Sequence, residues 1–560
     1  METVKPSYIS LGRINAIAEC VLGYDNIKTI FEFGARYGED SIEFAKRYKN
    51  GVVYSFECNE NTLIQCKKSI SKYPNIVLTQ KAVSNYDGMT TFYPIDKDNT
   101  ITTWEDGNQG ASSLLKASGK YELEHYVQKE VTTQCIRLDS FMHEHNIQQI
   151  DILWMDIQGA ELLALKGLGK RLKDVRIIQC ETEMIDIYKE QPLFKDIKKY
   201  LKKNGFCFMG FSSKSKYSGD GIFIHKDFIN PKVVDLCKWI LVPNTFTDNY
   251  CEIIKLKIIN KYLLFLRKFK GFGKSFPVHK PSDEYDSIYN WRNQILNPLT
   301  SKDAQFGCFI KSSVPLDIVI PTTKKDLKTL EFCIDSIFKN LKHPIGKIFI
   351  VSTDDPDIKR IAIEKKCIFI DESTVIKNLS KENIHYIVNG EDRSGWLFQQ
   401  LIKLSVDEFT YNEHILVMDS DTLLNRPVKY IHNGKMILNT SDEHHEPYYE
   451  TYKKIMGEIA ISPRSFVSHG MLFSKDLLQE MKQYITNKNH KNWIFAILDS
   501  TDYSNISGFS EYETYGNYIL RHHPNRVKLE YWFNKSLTSL DEINNVPRYI
   551  KSVSLHSYNQ

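Results

Sequence analysis

The chain has 560 residues, too many for one ordinary hydrophobic core, so two or three domains are expected. Hydrophobic residues make up 42% and charged residues 25%, ordinary values for a soluble globular protein. The 73 basic and 69 acidic residues leave a formal net charge of +4, which gives no push toward a nucleic-acid partner.

The N-terminus, Met1-Glu2-Thr3-Val4-Lys5-Pro6, lacks the apolar core of a signal peptide, and no stretch approaches the roughly 20 apolar residues that span a bilayer. Eleven cysteines, an odd number with no CxxC pair, read as buried thiols of a reducing compartment. A cytoplasmic location is expected. From residue 27 to about 228, short β-branched runs alternate with helical patterns, with strands expected over 28–33, 52–57, 76–78, 151–156, 175–181 and 221–225. This alternation predicts a parallel sheet covered by helices. Residues 229–310 differ. The run from Ile253 to Lys270 mixes apolar and basic residues, as in a helix lying on an anionic membrane surface or a connecting helix packed between domains. A second alternation opens at Leu316-Asp317-Ile318-Val319-Ile320 and continues through 348–351 and 415–418, predicting a second α/β domain. The expected domains are thus 1–228, a basic amphipathic linker over 229–310, and 311–560.

The first candidate site lies in the first alternation. Glu32, Gly34 and Gly38 follow an apolar strand and precede a helical stretch that starts near Asp40. Glycines at a strand-to-helix turn let the backbone approach a ligand closely. Glu57 ends the next strand, where an acid can accept both hydroxyls of a ribose. The spacing is GxxxG rather than GxGxxG, which suits S-adenosylmethionine better than a dinucleotide with a pyrophosphate to seat. Four further runs follow in order: Lys81 to Gly88, Gly110-Ala111-Ser112-Ser113-Leu114, Ile136 to Phe141, and Asp151 to Glu161. Together they closely resemble the FkbM-type methyltransferase family over nearly all of residues 27–228.

The resemblance implies a class I S-adenosylmethionine-dependent O-methyltransferase fold, with a sugar or related hydroxyl as acceptor. Asp156, at the end of a predicted strand, is the expected base or acceptor-orienting residue, unless it only caps the following helix. Glu161 would orient the acceptor or cap the same helix, and Glu181 and Glu183 come next in rank. Many relatives carry lysine two positions before the motif aspartate. Here Trp154 stands, either to stack on a sugar face or to fill the core.

The second candidate site is Ile415-Leu416-Val417-Met418-Asp419-Ser420-Asp421, an apolar strand ending in Asp-x-Asp. In this it resembles glycosyltransferases of the GT-A fold, where such carboxylates hold a divalent cation, Mn²⁺ or Mg²⁺, against the diphosphate of a nucleotide-sugar donor. Asp317 to Thr322, Ser394 to Leu404, Phe466 to Met471 and Phe509 to Gly516, in order, resemble a bacterial glycosyltransferase-like group, the DUF6492 group, over about residues 314–535. That resemblance implies metal ligation by Asp419 and Asp421, completed by the late His556, and a nucleotide site at Asp317. Gln399 and Lys403 share one helical face and reach either phosphate and acceptor or solvent. His469 either contacts donor or acceptor or is a satisfied structural histidine. Of Glu511 and Glu513, Glu511 is the preferred general base.

The two halves together predict a bifunctional glycan-biosynthesis enzyme acting on a glycan or lipid-linked oligosaccharide, as in capsule or lipopolysaccharide assembly, with peripheral contact to an anionic membrane. The rivals are a methyltransferase with a non-catalytic glycan-binding half, and a scaffold.

Overall fold

The computed structural model describes residues 6–242, 311–441, 443–546 and 550–555. The expected basic helix at 253–270 and His556 lie outside them. The chain divides into two compact units, Met1–Tyr289 and Asn290–Gln560. Among the described residues no helix is long and apolar enough to cross a membrane, and all nine cysteines there are free thiols.

The first unit is built on a seven-stranded sheet. Its strands are β1 (Thr29–Phe33), β2 (Val52–Phe56), β3 (Ile76–Thr79), β7 (Ile150–Met155), β8 (Val175–Glu183), β9 (Phe206–Lys214) and β10 (Ser218–His225). The order across the sheet is β3-β2-β1-β7-β8-β10-β9. The first five are parallel, and β10 runs antiparallel to both its neighbours. Helices α2 (Glu39–Arg47), α3 (Glu60–Ile70), α4 (Leu138–Glu144), α5 (Glu161–Gly167) and α6 (Phe194–Lys203) make the crossovers. This is the doubly wound, Rossmann-like arrangement that the alternation predicts. β7 is buried at every position, because helices cover both faces of a central parallel strand. The strand order reverses between β1 and β7, and that switch point is where an open α/β sheet leaves a crevice beyond the strand ends.

Three features depart from the expected layout. Strands β4 (Ala82–Val83), β5 (Gly88–Phe92) and β6 (Val131–Ile136) form a separate small sheet, with residues 93–130 looping out between β5 and β6. Strand β9 carries no strong apolar alternation. The described fold also runs past residue 228. Helix α7 (Pro231–Ile240), capped by Asn230, buries Val233, Leu236, Cys237 and Ile240 and packs against α1 (Pro6–Leu22) and β9, and Val242 then bridges to Phe211.

The second unit has its own Rossmann-type sheet. β11 (Leu316–Pro321), β12 (Ile345–Ser352) and β13 (Ile368–Asp371) are parallel and lie in the order β13-β12-β11. The parallel strand His414–Met418 lies on the other side of β11, followed by the antiparallel strand Gly470–Ser474. The order again reverses at β11, so the end of His414–Met418 opens onto the switch point. The C-terminal strand Ser552–Ser554 pairs with Thr422–Leu424, and the Leu555 amide donates to the Asp421 carbonyl at 3.0 Å.

Candidate functional site

In the first unit, β1 and β2 deliver their C-terminal residues to one edge. Gly34 (φ +85°) and Gly38 (φ +87°) take left-handed conformations that favour glycine. A Cβ on Gly34 would fall 2.0 Å from the Asp156 carbonyl oxygen, so this glycine is needed for the approach of the β1 and β7 ends. A Cβ on Gly38 would fall 2.6 Å from Ile70, so this one serves the packing of α2 on α3. Glu57 follows β2. It accepts the Arg36 amide at 2.7 Å and the Asn59 amide at 2.7 Å, which ties the glycine turn to the start of α3. Burial pushes the Glu57 carboxyl up to about 7.

A cavity of about 350 Å³ opens at this edge. Glu57, Asn59 and Ala82 line it on the β2 side and Asp156, Gln158, Glu181 and Glu183 on the β7 and β8 side, with Gly34 between them in contact with Asp156. The 110–114 run closes one side. Asn59 Nδ2 donates to Ser112 at 3.1 Å, and the Ser113 hydroxyl donates to the Gln158 carbonyl at 2.7 Å. Residues 93–130 supply Trp104, Tyr121 and Tyr126 to the wall. Gln158, itself at a positive φ of 53°, donates from Nε2 to Asp156 at 2.7 Å and to Glu181 at 2.6 Å. The buried Tyr188 hydroxyl lies 3.0 Å from Gln158 Oε1 and 2.8 Å from the Ala111 carbonyl.

Electrostatically the β7 and β8 side is acidic. Burial, then Asp156 and Glu183, raise the Glu181 carboxyl well above the usual range. Burial brings Glu183 up to about 7. Burial and Glu183 raise Glu161, which lies outside the cavity wall and accepts the Ile157 amide at 3.1 Å.

Several expected residues sit elsewhere. Glu32 does not line the cavity. Its cross-strand neighbour is Ser55, and it accepts from Ser55 at 3.0 Å and from Ser41 on α2, fully buried. Trp154 is a core residue, edge-on to Phe44 with ring centroids 5.6 Å apart, and is not available to stack on a sugar. Asp139 lies in the first turn of helix α4, where it pairs with Arg137. Gln158, Trp104, Tyr121, Tyr126 and Tyr188 were not singled out by sequence. Gln158 lies in the Asp151 to Glu161 run, whereas Trp104, Tyr121 and Tyr126 sit in the 93–130 loop and Tyr188 in the connection between β8 and α6, neither with a periodicity to read.

In the second unit, Asp419 and Asp421 follow the strand His414–Met418 at the switch point. The buried Lys403 ammonium lies 2.7 Å from Asp419 Oδ1 and 2.9 Å from Glu511 Oε1, and it packs over the Tyr512 ring. Burial works against this ammonium, but Asp419 and Glu511 outweigh it and raise its pKa. Glu511 is buried at the start of the helix Glu511–His522. Burial raises its carboxyl, while Lys403 opposes the rise. His469 (φ 58°) sits 3.9 Å from Asp419 Oδ2 and 3.3 Å from Glu443. Burial disfavours its protonated form, yet Glu443, Asp419 and Asp421 raise its pKa. Asp326, joined to Ser420 at 3.0 Å, adds another acid.

Asp317 is not part of this group. It lies at the opposite end of β11 and accepts from the amides of Lys347, Tyr411 and Asn412 and from Asn412 Nδ2, at 2.6–2.8 Å. Glu513 points away from Glu511, accepting from Ser465, the Phe466 amide, Tyr449 and Asn517. Gln399 is half-buried on the face next to Lys403. Among the described residues no group of three or more His, Cys, Asp or Glu side chains converges as a metal site.

The first unit therefore has a Rossmann-like fold with a cavity at the edge of its sheet. Residues 32–208 match the methyltransferase FkbM domain family, and residues 313–551 match a family of unknown function, DUF6492. The chain thus carries an FkbM methyltransferase domain followed by a DUF6492 region. The 2-O-methyltransferase NoeI of Sinorhizobium fredii is 23% identical over 164 residues, which are 29% of this chain and 66% of that protein, just under two thirds of its length. Among solved structures, TrmK of M. capricolum in complex with S-adenosyl-homocysteine is 12% identical with a TM-score of 0.23, covering 46% of this chain and 84% of that one. An active-site mutant of LgtC is 13% identical with a TM-score of 0.26, covering 43% and 87%.

Proposed function

We propose that the first unit transfers a methyl group from S-adenosylmethionine to a sugar hydroxyl, and that the second unit transfers a sugar from a nucleotide-sugar to a glycan. The carrying observation is a cavity lined by both Glu57, just after β2, and Asp156, just after β7. The cavity fits the methyl donor on two counts. Its volume is that of a small-molecule site. Glu57 is held by two backbone amides in the position where an acid meets ribose hydroxyls. When bound, the donor supplies a methyl on a sulfonium and leaves as a neutral thioether. The chain's own part is to hold donor and acceptor in line and to take the acceptor proton. We assign that role to Asp156, and the hydrogen bond from Gln158 Nε2 that orients one of its oxygens supports the assignment. Calorimetric titration with S-adenosylmethionine tests the first half: binding that is lost in Glu57→Ala supports it, and no binding by the intact chain removes it.

For the second unit the supporting observation is the switch-point group of Asp419, Asp421, Lys403, His469 and Glu511. Its acids outnumber its bases, and the Lys403 ammonium is already taken up by Asp419 and Glu511, so a departing diphosphate held here needs further positive charge. Asp419 and Asp421 are two of the oxygen donors a divalent cation needs. The described residues do not complete such a set, and no step is assigned to a metal. Nucleotide release from UDP-, GDP-, dTDP- and CMP-sugars, compared between wild type and Asp421→Ala, tests this half.

A further inference from the structure

Asp156, Glu181 and Glu183 line one end of the first unit's cavity, and none has a basic partner among the described residues. Glu183 is 1% exposed and its Oε2 has no hydrogen-bond partner. Asp156 and Glu181 are drawn together on one amide nitrogen, Gln158 Nε2. Two cations line the cavity: Arg36 is already paired with Asp106 and stacked on Trp104, and Lys81 makes no ion pair with any of the three acids. Carboxylates this close repel one another, and that repulsion together with burial pushes Glu181 and Glu183 toward their neutral forms. A neutral hydroxyl would satisfy one lone pair and leave the repulsion in place. A cation among the three would remove it. Tyr121 and Tyr126, both close enough to feel the Glu181 charge, border the acids with aromatic rings of the kind that pack on a pyranose or an ammonium.

We propose that this end of the cavity takes an acceptor bearing a protonated amine, an amino sugar with a free ammonium beside the hydroxyl to be methylated. Uronic acids and phosphorylated sugars are disfavoured by the same three acids. The inference rests on the reading of the first unit as a sugar methyltransferase. Its competitor is that the acids serve only the positive charge of the methyl donor.

The experiment is calorimetric binding to the full chain, with and without S-adenosyl-homocysteine, of the methyl glycosides of glucosamine, N-acetylglucosamine, glucose and glucuronate, together with ethanolamine and ethylene glycol. Methyl transfer from saturating S-adenosylmethionine is read in parallel. The expected result is that the free amino sugar binds about tenfold more tightly than its neutral counterparts, and that Glu183→Gln narrows the ratio. The preference should fade as the amine deprotonates. Equal binding of the charged and neutral sugars, or preference for glucuronate, overturns the proposal while leaving the sugar reading intact. Glu183-dependent binding of ethanolamine over ethylene glycol, with no sugar bound, keeps the amine site and removes the sugar reading. No binding in any arm removes both. If Glu183→Gln does not fold, Glu181→Gln carries the same comparison.

Discussion

Gly34 and Asp156 meet at the carboxyl edge of the first sheet, so closely that a single added carbon on Gly34 would lie 2.0 Å from the Asp156 carbonyl oxygen. The contact joins the glycine turn after β1 to the acid after β7, and so sets the cavity's floor. Gly34→Ala is expected to shift the Asp156 segment and cost about 2 kcal/mol or more, from a strained positive φ together with a backbone clash. Methyl-donor affinity should fall with it. Unchanged affinity and melting temperature would contradict this account of Gly34.

The two sites are expected to fail separately. Asp421→Ala should abolish nucleotide release with methyl-donor binding intact, and Glu57→Ala should do the converse. Calorimetry and a nucleotide-release assay on the same preparations check this. Loss of both functions in either folded variant would contradict two independent sites.

Burial brings the carboxyls of Glu32, Glu57, Glu183 and Asp220 up to about 7. In an unfolded chain such groups titrate near 4. Between about pH 4 and 7 the folded state therefore holds more protons, and stability falls as pH rises. The contribution is complete below about pH 4 and is lost as pH passes through 7. The melting midpoint of the first unit should fall from pH 5 to pH 8, and Glu57→Gln should flatten the fall. A midpoint that climbs over this range would contradict the assignment.

Much of the first sheet was legible in sequence because buried parallel strands are near-continuous apolar runs, as at Ile150–Met155. The direction of the acids was not. Glu32 lies two residues before Gly34, yet it points toward Ser41 and Ser55, because only the packing of α2 decides which face of β1 it occupies. The aromatic wall from residues 93–130 was hidden as well, since that loop is held by isolated bridges such as Ile101 with His125 and carries no strand or helix period. Asp419, Lys403 and Glu511, by contrast, were each picked out in sequence, and the fold brings the three together. The ion pair itself is tertiary and left no local signal.

Asp317 illustrates an acid with a structural role. Its carboxylate satisfies four N–H donors from two segments, Lys347 and Tyr411-Asn412, at the far end of β11. Asp317→Ala should destabilise the second unit by about 3 kcal/mol and leave its residual catalytic constants unchanged once folded. A selective loss of nucleotide affinity at full stability would restore a ligand role.

Lys403 holds Asp419 and Glu511 together in a buried setting. Lys403→Met should cost about 3–5 kcal/mol, since it leaves two carboxylates facing each other, and adding Glu511→Gln should recover part of that loss. Denaturant unfolding of the four proteins in this cycle measures the coupling. Additive effects would show that the three groups do not act as a unit.

The most direct measurement is transfer of labelled methyl from S-adenosylmethionine to a panel of glycosides and oligosaccharides, comparing wild type with Asp156→Asn. The account predicts label on a sugar oxygen, with transfer by Asp156→Asn reduced about a hundredfold while donor binding persists. Label appearing only on RNA or protein acceptors, or transfer to sugars unaffected by the substitution, would contradict it.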